Sequence, residues 1–175
     1  MTNSLAATSM LTEEELQFRE TVQRFMKEEV APLVQQMEKE GRPPASLYKR
    51  MGDLGLLGTF LPEEYGGSGA SLMTRAIVAE ETARVNAGLD ASIYVNISLV
   101  GRHLARYGTP EQKEKYLRPL ISGDACASIC LTEPAGGSDA LSPRTTARKD
   151  GDDYVIDGGK MWITNGTQAD WCCVL

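Results

Sequence analysis

Basic runs, long apolar stretches and nucleotide-binding glycine loops are all missing from this 175-residue sequence. Its 18 Lys and Arg residues are outnumbered by 24 Asp and Glu residues, and the formal net charge is −6. Because a protein that binds the phosphate backbone needs a basic patch, we expect no nucleic-acid partner. The absence of Gly-x-Gly-x-x-Gly and Walker-type loops argues against a Rossmann or P-loop nucleotide site.

Signals for membranes and secretion are also missing. The sequence has no apolar run of about eighteen residues, and so we expect no membrane span. Its first ten residues, MTNSLAATSM, lack the basic segment and the apolar segment of a secretory signal. These absences together predict a soluble, cytoplasmic protein.

Histidine and cysteine, the side chains that most often bind transition metals, are few. The only histidine, His103, lies in a predicted helix without a second ligand nearby, and we expect it to be solvated or to cap the helix. The four cysteines include no Cys-x-x-Cys pair, which argues against a metal site or a disulfide framework. We therefore expect no metal and reduced cysteines in the core, at positions Cys126, Cys130, Cys172 and Cys173.

The first two thirds of the sequence carry helical signals. Two capping boxes, each a Thr followed three residues later by Glu or Gln, begin helices at Thr12–Glu15 and Thr109–Gln112. Gly123, just beyond the apolar end of the last helix, is a typical stop signal. Apolar residues at helical spacing predict further helices around 47–54, 71–85 and 90–107. We expect a flexible arm over residues 1–10 and an all-helical domain over residues 11–122.

After Gly123 the apolar pattern changes to short runs separated by Asp-Gly and Asn-Gly dipeptides, which favour hairpin turns. The fold class predicted is α+β: an N-terminal all-helical domain followed by a truncated antiparallel β-domain. The last run is apolar up to Leu175, which would leave an uncovered strand, so we expect residues 123–175 to be the incomplete beginning of that domain. The runs predict strands over residues 125–131, 145–149, 154–156, 160–164 and 169–175.

Two segments of the β-region are candidates for a binding site. The first, Cys130–Asp139, is a strand end followed by a turn rich in Pro and Gly, which exposes backbone N–H groups and adds the Thr132 and Ser138 hydroxyls. Such a turn suits an uncharged ring amide or a phosphate. Composition alone equally supports an ordinary surface turn.

The second candidate is the segment Met161–Thr164. If it is a strand, alternation places Trp162 and Thr164 on one face, where an indole beside a hydroxyl forms a platform for a planar ring. The alternative, which is the commoner outcome for a lone Trp-x-Thr, is a tryptophan buried in the core.

In this context the sequence resembles the acyl-CoA dehydrogenase family over about residues 11–175. Three landmarks carry the resemblance, and their order along the chain makes it specific. They are Gly55–Gly58 leading into Pro62–Gly67, then Tyr107–Leu117, and finally Cys130–Asp139 followed by Gly158–Gly166. One departure is Ala135-Gly136-Gly137, where many members have Gly-Ala-Gly; the residues stay small, which keeps the turn.

The resemblance implies three parts: a helical domain, a middle β-domain and a C-terminal four-helix bundle that would follow. It implies FAD as the cofactor, with the first segment and the Trp-containing segment at the flavin ring and Ser138 also facing the substrate's pantetheine. The cofactor-binding residues implied are Ile129, Cys130, Leu131, Thr132, Gly137, Ser138, Trp162, Ile163 and Thr164.

The family reaction is the α,β-dehydrogenation of an acyl-CoA thioester: a glutamate takes the α-proton while hydride passes from the β-carbon to flavin N5. That glutamate normally lies in the C-terminal bundle, and no residue here matches its context, so we expect no catalytic base in this chain and no activity by the chain alone. The resemblance also implies an electron-transfer flavoprotein as acceptor and a homotetramer. Alternatives are a non-catalytic helical interaction module, or a flavin oxidase or monooxygenase of the same fold.

Overall fold

The computed structural model describes residues 11–175, and the expected arm over residues 1–10 lies outside them. The helical part runs from Glu13 to Ser122 and is interrupted by π-helical and 3₁₀ turns. Its α-helices are α1 (Glu13–Phe25), α2 (Val34–Glu40), α3 (Ala45–Asp53), α4 (Leu72–Val85), α5 (Ala87–Ile93), α6 (Arg102–Tyr107), α7 (Pro110–Gln112) and α8 (Arg118–Ser122). The π-helical segments are Met26–Val30, Tyr94–Gly101 and Lys113–Leu117, and short 3₁₀ turns cover Ala31–Leu33 and Glu63–Tyr65.

Helix starts and stops follow the local signals in the sequence. Both predicted capping boxes are formed, at Thr12 with Glu15 and at Thr109 with Gln112. Each box satisfies backbone N–H groups that the first helical turn would otherwise leave unpaired. Gly123 ends α8 in the left-handed conformation, with φ of +73°, as the stop signal predicts.

The helices enclose one apolar core that continues into the first strand. Helices α1 and α4 pack against each other, and the π-helical segment Tyr94–Gly101 packs on the strand Ala127–Cys130. The fully buried side chains come from all parts of the helical region and include Val22, Met26, Val30, Met51, Leu57, Leu61, Ile77, Leu89, Ile93, Ile97, Leu117 and Leu120. This core fixes the position from which the β-region begins.

Four strands follow: β1 (Ala127–Cys130), β2 (Thr146–Asp150), β3 (Asp153–Asp157) and β4 (Trp171–Val174). Strands β2 and β3 form an antiparallel hairpin, in which Thr146 pairs with Asp157. Strands β1 and β4 pair in parallel, in register from Ala127 with Trp171 to Cys130 with Val174. A helical region followed by short strands confirms the predicted α+β class, and the parallel pair is a detail that the sequence did not indicate.

The strand predicted over residues 160–164 is wrong. Trp162 and Asn165 have φ of +59° and +66°, and a left-handed residue breaks the extended backbone. The Met161 N–H donates to the Thr132 carbonyl at 2.9 Å, but the segment forms a loop and does not pair with another strand.

The expectation that all four cysteines are core residues is half wrong. All four are free thiols, and Cys126 and Cys130 are buried, but Cys172 and Cys173 on β4 are exposed. Within residues 11–175, no helix is long and apolar enough to span a bilayer. Over the same range, His, Cys, Asp and Glu side chains form no cluster of three that could hold a metal ion.

Candidate flavin-facing site

The turn after β1 is closed by its own backbone. The Glu133 N–H donates to the Gly136 carbonyl at 2.9 Å, and the Gly136 N–H donates to the Glu133 carbonyl at 3.1 Å. Gly137 lies so close to Thr132 that an added Cβ would stand 3.1 Å from that side chain. The turn therefore holds a compact shape that requires a small residue at position 137.

Glu133 points into the protein, where it is 7% exposed. Its carboxylate accepts hydrogen bonds from the backbone N–H groups of Arg144 and Thr145, both at 2.8 Å, and from the Lys160 ammonium at 2.8 Å. The hydrogen bond from Lys160, followed by those from Thr145 and Arg144, holds the pKa of Glu133 well below its usual range. The carboxylate is consequently ionised at neutral pH and has its oxygens occupied.

Lys160 brings the second candidate segment beside the first. Its ammonium donates to the Leu131 carbonyl at 3.1 Å as well as to Glu133. The next residue, Met161, donates its N–H to the Thr132 carbonyl at 2.9 Å. The two segments that the sequence singled out are thus adjacent, joined through backbone and a buried ion pair.

Trp162 is 82% exposed, which excludes the alternative of a buried core tryptophan. Its left-handed backbone is unusual for a bulky residue and turns the chain at that point. Ile163 is half-buried and Thr164 is exposed. Because the segment is not a strand, strand alternation does not place Trp162 and Thr164 on one face.

The remaining predicted residues lie along the end of β1 and the turn. Cys130 is buried, Ile129, Leu131, Thr132 and Gly137 are half-buried, and Ser138 is exposed. Part of the turn lines a cavity of about 230 Å³. Its walls are Leu131, Glu133, Ala135, Gly136, Gly137, Asp139, Ala140, Ser142, Pro143 and Arg144.

A buried polar network fixes the far end of the loop over residues 161–165, here called the tryptophan loop, to the helical domain. Asn165, 8% exposed, donates its side-chain N–H groups to the Ser92 carbonyl at 3.0 Å and the Ala127 carbonyl at 3.2 Å. Its side-chain oxygen accepts from the Ser92 hydroxyl and from Gln168 at 3.0 Å. Tyr48 shares a hydrogen bond with Ser92, and burial raises the pKa of the Tyr48 hydroxyl.

Three residues that organise the site were absent from the residues predicted for it: Glu133, Lys160 and Asn165. Glu133 and Lys160 are charges inside motifs made mostly of uncharged residues, and such charges are rarely buried unless they are paired. Asn165 belongs to an Asn-Gly dipeptide, a pattern that predicts a hairpin turn. Its left-handed backbone fits that dipeptide, but its buried amide contacts could be seen only in the fold.

Family models match both parts of the chain. Residues 12–124 match the model of the acyl-CoA dehydrogenase N-terminal domain, and residues 128–175 match that of the acyl-CoA dehydrogenase middle domain. Among curated proteins, a probable acyl-CoA dehydrogenase of Bacillus subtilis is 43% identical over 91% of this chain and 42% of its own length. Bovine mitochondrial isovaleryl-CoA dehydrogenase is 40% identical over 97% of this chain and 41% of its own. The chain thus spans about two fifths of these relatives.

Solved structures agree. An acyl-CoA dehydrogenase from Geobacillus kaustophilus superposes with a TM-score of 0.89 and 38% identity, covering 94% of this chain and 43% of its own. A glutaryl-CoA dehydrogenase from Mycobacterium smegmatis, solved in complex with FADH2, superposes with a TM-score of 0.89 and 35% identity, covering 95% of this chain and 43% of its own. Both halves of the chain, in sequence and in structure, belong to the acyl-CoA dehydrogenase family.

Proposed function

We propose that this chain supplies the helical domain, residues 11–122, and the flavin-facing part of the β-domain, residues 123–175, of an FAD-dependent acyl-CoA dehydrogenase. The observation that carries the proposal is the junction of the two candidate segments: the turn after β1 and the tryptophan loop meet at the Met161 to Thr132 hydrogen bond. Family membership supports it, and so does the FADH2 bound to the Mycobacterium smegmatis relative.

The chemistry of the site fits a flavin ring, which is planar, largely apolar and edged with uncharged amide groups. Trp162 offers an exposed aromatic face for stacking, and Thr132 and Thr164 offer hydroxyl groups. The charges of Glu133 and Lys160 are directed at each other, so neither adds an unpaired charge to the surface presented to a ligand. The residues that would hold the ring are Ile129, Cys130, Leu131, Thr132, Gly137, Ser138, Trp162, Ile163 and Thr164.

When bound, FAD supplies the acceptor for the hydride removed from the acyl β-carbon. The chain's own residues would hold the ring and, through Ser138, the pantetheine arm of the acyl-CoA. Glu133 is unsuited to take the α-proton, because its oxygens are occupied by three donors and its pKa is held low. We therefore propose that the base is a glutamate outside these 175 residues and that the chain alone does not turn over.

The proposed partners follow from the family. Acyl-CoA would be the substrate and an electron-transfer flavoprotein the acceptor. A solved structure described as an electron transferring flavoprotein of Acidaminococcus fermentans is also similar to this chain, with a TM-score of 0.85 and 36% identity. We propose a homotetramer for the full-length protein.

The test compares the chain with a fusion in which the remaining C-terminal portion of the Bacillus subtilis relative follows Leu175. Both proteins are loaded with FAD and titrated anaerobically with straight-chain and branched acyl-CoA thioesters, while the visible flavin band is followed. The proposal predicts bleaching in the fusion and none in the chain. A fusion that binds FAD but is not bleached by any thioester would contradict dehydrogenase function, and bleaching by the chain alone would contradict the placement of the base.

A further inference from the structure

We propose that Glu133 and Lys160 are positioning residues: their buried ion pair, here called the clasp, sets the relative placement of the turn after β1 and the tryptophan loop. The inference rests on the proposed function, because it assigns the clasp a consequence for flavin binding. Neither residue is placed against the cofactor or the substrate.

Four backbone segments converge on the clasp. Glu133 belongs to the turn and accepts from the N–H groups of Arg144 and Thr145, which lead into β2. Lys160 precedes the tryptophan loop and donates to the Leu131 carbonyl at the end of β1. Two side chains therefore hold the strand end, the turn, the start of the hairpin and the loop in one arrangement.

Both members of the clasp are shielded from water, with side-chain exposures of 8% for Glu133 and 10% for Lys160. Water therefore screens their attraction little, and removal of either partner leaves the other as an unpaired buried charge. A local rearrangement that exposes the remaining charge would separate the segments. The Met161 to Thr132 hydrogen bond joins the two segments directly, so such a rearrangement would break it.

The clasp does not bind the ring itself, so its loss should act through the fraction of molecules that hold the two segments together. Apparent affinity falls in proportion to that fraction. If nine molecules in ten lose the arrangement, the apparent Kd for FAD rises about tenfold. The loss should also appear without any ligand, as faster exchange of backbone amide protons at the junction.

The experiment uses the Glu133→Gln and Lys160→Met variants, with Asp90→Asn as the matched control. Asp90 pairs with Arg75 at 3.0 Å in the helical domain, where the pair is also largely shielded and Arg75 donates a further hydrogen bond to the Ser98 hydroxyl of the same domain. Two quantities are measured for each protein: hydrogen exchange at the Met161 amide, and the Kd for FAD from flavin fluorescence anisotropy.

The clasp predicts that both variants speed exchange at Met161 and raise the Kd for FAD by at least about tenfold, while Asp90→Asn changes neither. Unchanged exchange at Met161 in both variants would overturn the positioning role. Faster exchange with an unchanged Kd would overturn the link to flavin. If the wild-type chain binds no FAD, the proposed function fails, and exchange at Met161 alone decides whether the clasp positions the loop.

Discussion

Asn165→Ala should be among the most destabilising single changes in this chain. The side chain makes two donated hydrogen bonds, to the Ser92 and Ala127 carbonyls, and accepts two more, from the Ser92 hydroxyl and Gln168. Each is worth about 1 kcal/mol net when buried. The backbone at this position has φ of +66°, which costs alanine about 1 kcal/mol more than asparagine or glycine. The expected loss in the free energy of unfolding is about 3 to 5 kcal/mol.

The two contributions can be separated by companion variants. Asn165→Gly removes the same hydrogen bonds but relieves the left-handed backbone, so it should be about 1 kcal/mol more stable than Asn165→Ala. Gln36→Ala is the control, because that amide makes one exposed hydrogen bond to Glu40, and surface changes of this kind stay within about 0.5 kcal/mol.

Urea unfolding at neutral pH, followed by far-ultraviolet circular dichroism, measures all the variants. Asn165→Ala within about 1 kcal/mol of the wild type would refute the network as a source of stability. Asn165→Gly less stable than Asn165→Ala would refute the backbone part of the reasoning.

Glu133, Gly123 and Cys126 can each be tested separately. The pKa of Glu133 is lowered from its ordinary value of 4.5, so its contribution to folding is complete above that pH and declines as the pH falls below it. The Glu133→Gln variant should therefore lose less stability in acid than the wild type does. An identical dependence of stability on pH in the two proteins would contradict the assignment. Gly123→Ala places a Cβ 2.1 Å from the Tyr48 carbonyl and should destabilise more than Gly151→Ala, which has a similar φ but open space, as urea unfolding would show. Burial raises the pKa of the Cys126 thiol to about 11, so at pH 8 it should react with a thiol reagent more slowly than exposed Cys172. Equal labelling of the two in a timed mass-spectrometric assay would exclude this.

Local signals predicted the helical part well because the relevant interactions lie within a few residues of one another. The capping boxes at Thr12 and Thr109 and the stop at Gly123 need only their own neighbours, and each is formed as predicted. The start of the helix predicted around residues 90–107 was less accurate, because the helix begins at Ala87, capped by Asn86. Asn86 caps this helix directly after the previous helix ends at Val85, so no loop in the sequence marks where the new helix begins.

Contacts between residues far apart in the sequence account for the structural features that the sequence did not predict. Residues 160–164 alternate like a strand, yet Asn165 binds Ser92 and Ala127, far away in the sequence, and Lys160 binds Glu133, so the segment forms a loop. The parallel pairing of β1 with β4 is likewise a choice of partner that alternation cannot specify. For the site, the family resemblance indicated both candidate segments. The groups that join the two segments could be identified only from the buried contacts in the fold.

Titration of FAD into the wild-type chain, Trp162→Ala and Tyr154→Ala, followed by flavin fluorescence anisotropy, tests the central claim most directly. Tyr154 is the control, because it is an exposed aromatic residue on the β2–β3 hairpin, away from the two candidate segments. A stacked aromatic contributes about 1 to 3 kcal/mol, so the account predicts that the wild type and Tyr154→Ala bind alike and that Trp162→Ala raises the Kd about fivefold or more. Equal Kd values for all three proteins, or no saturable binding by the wild type, would contradict it.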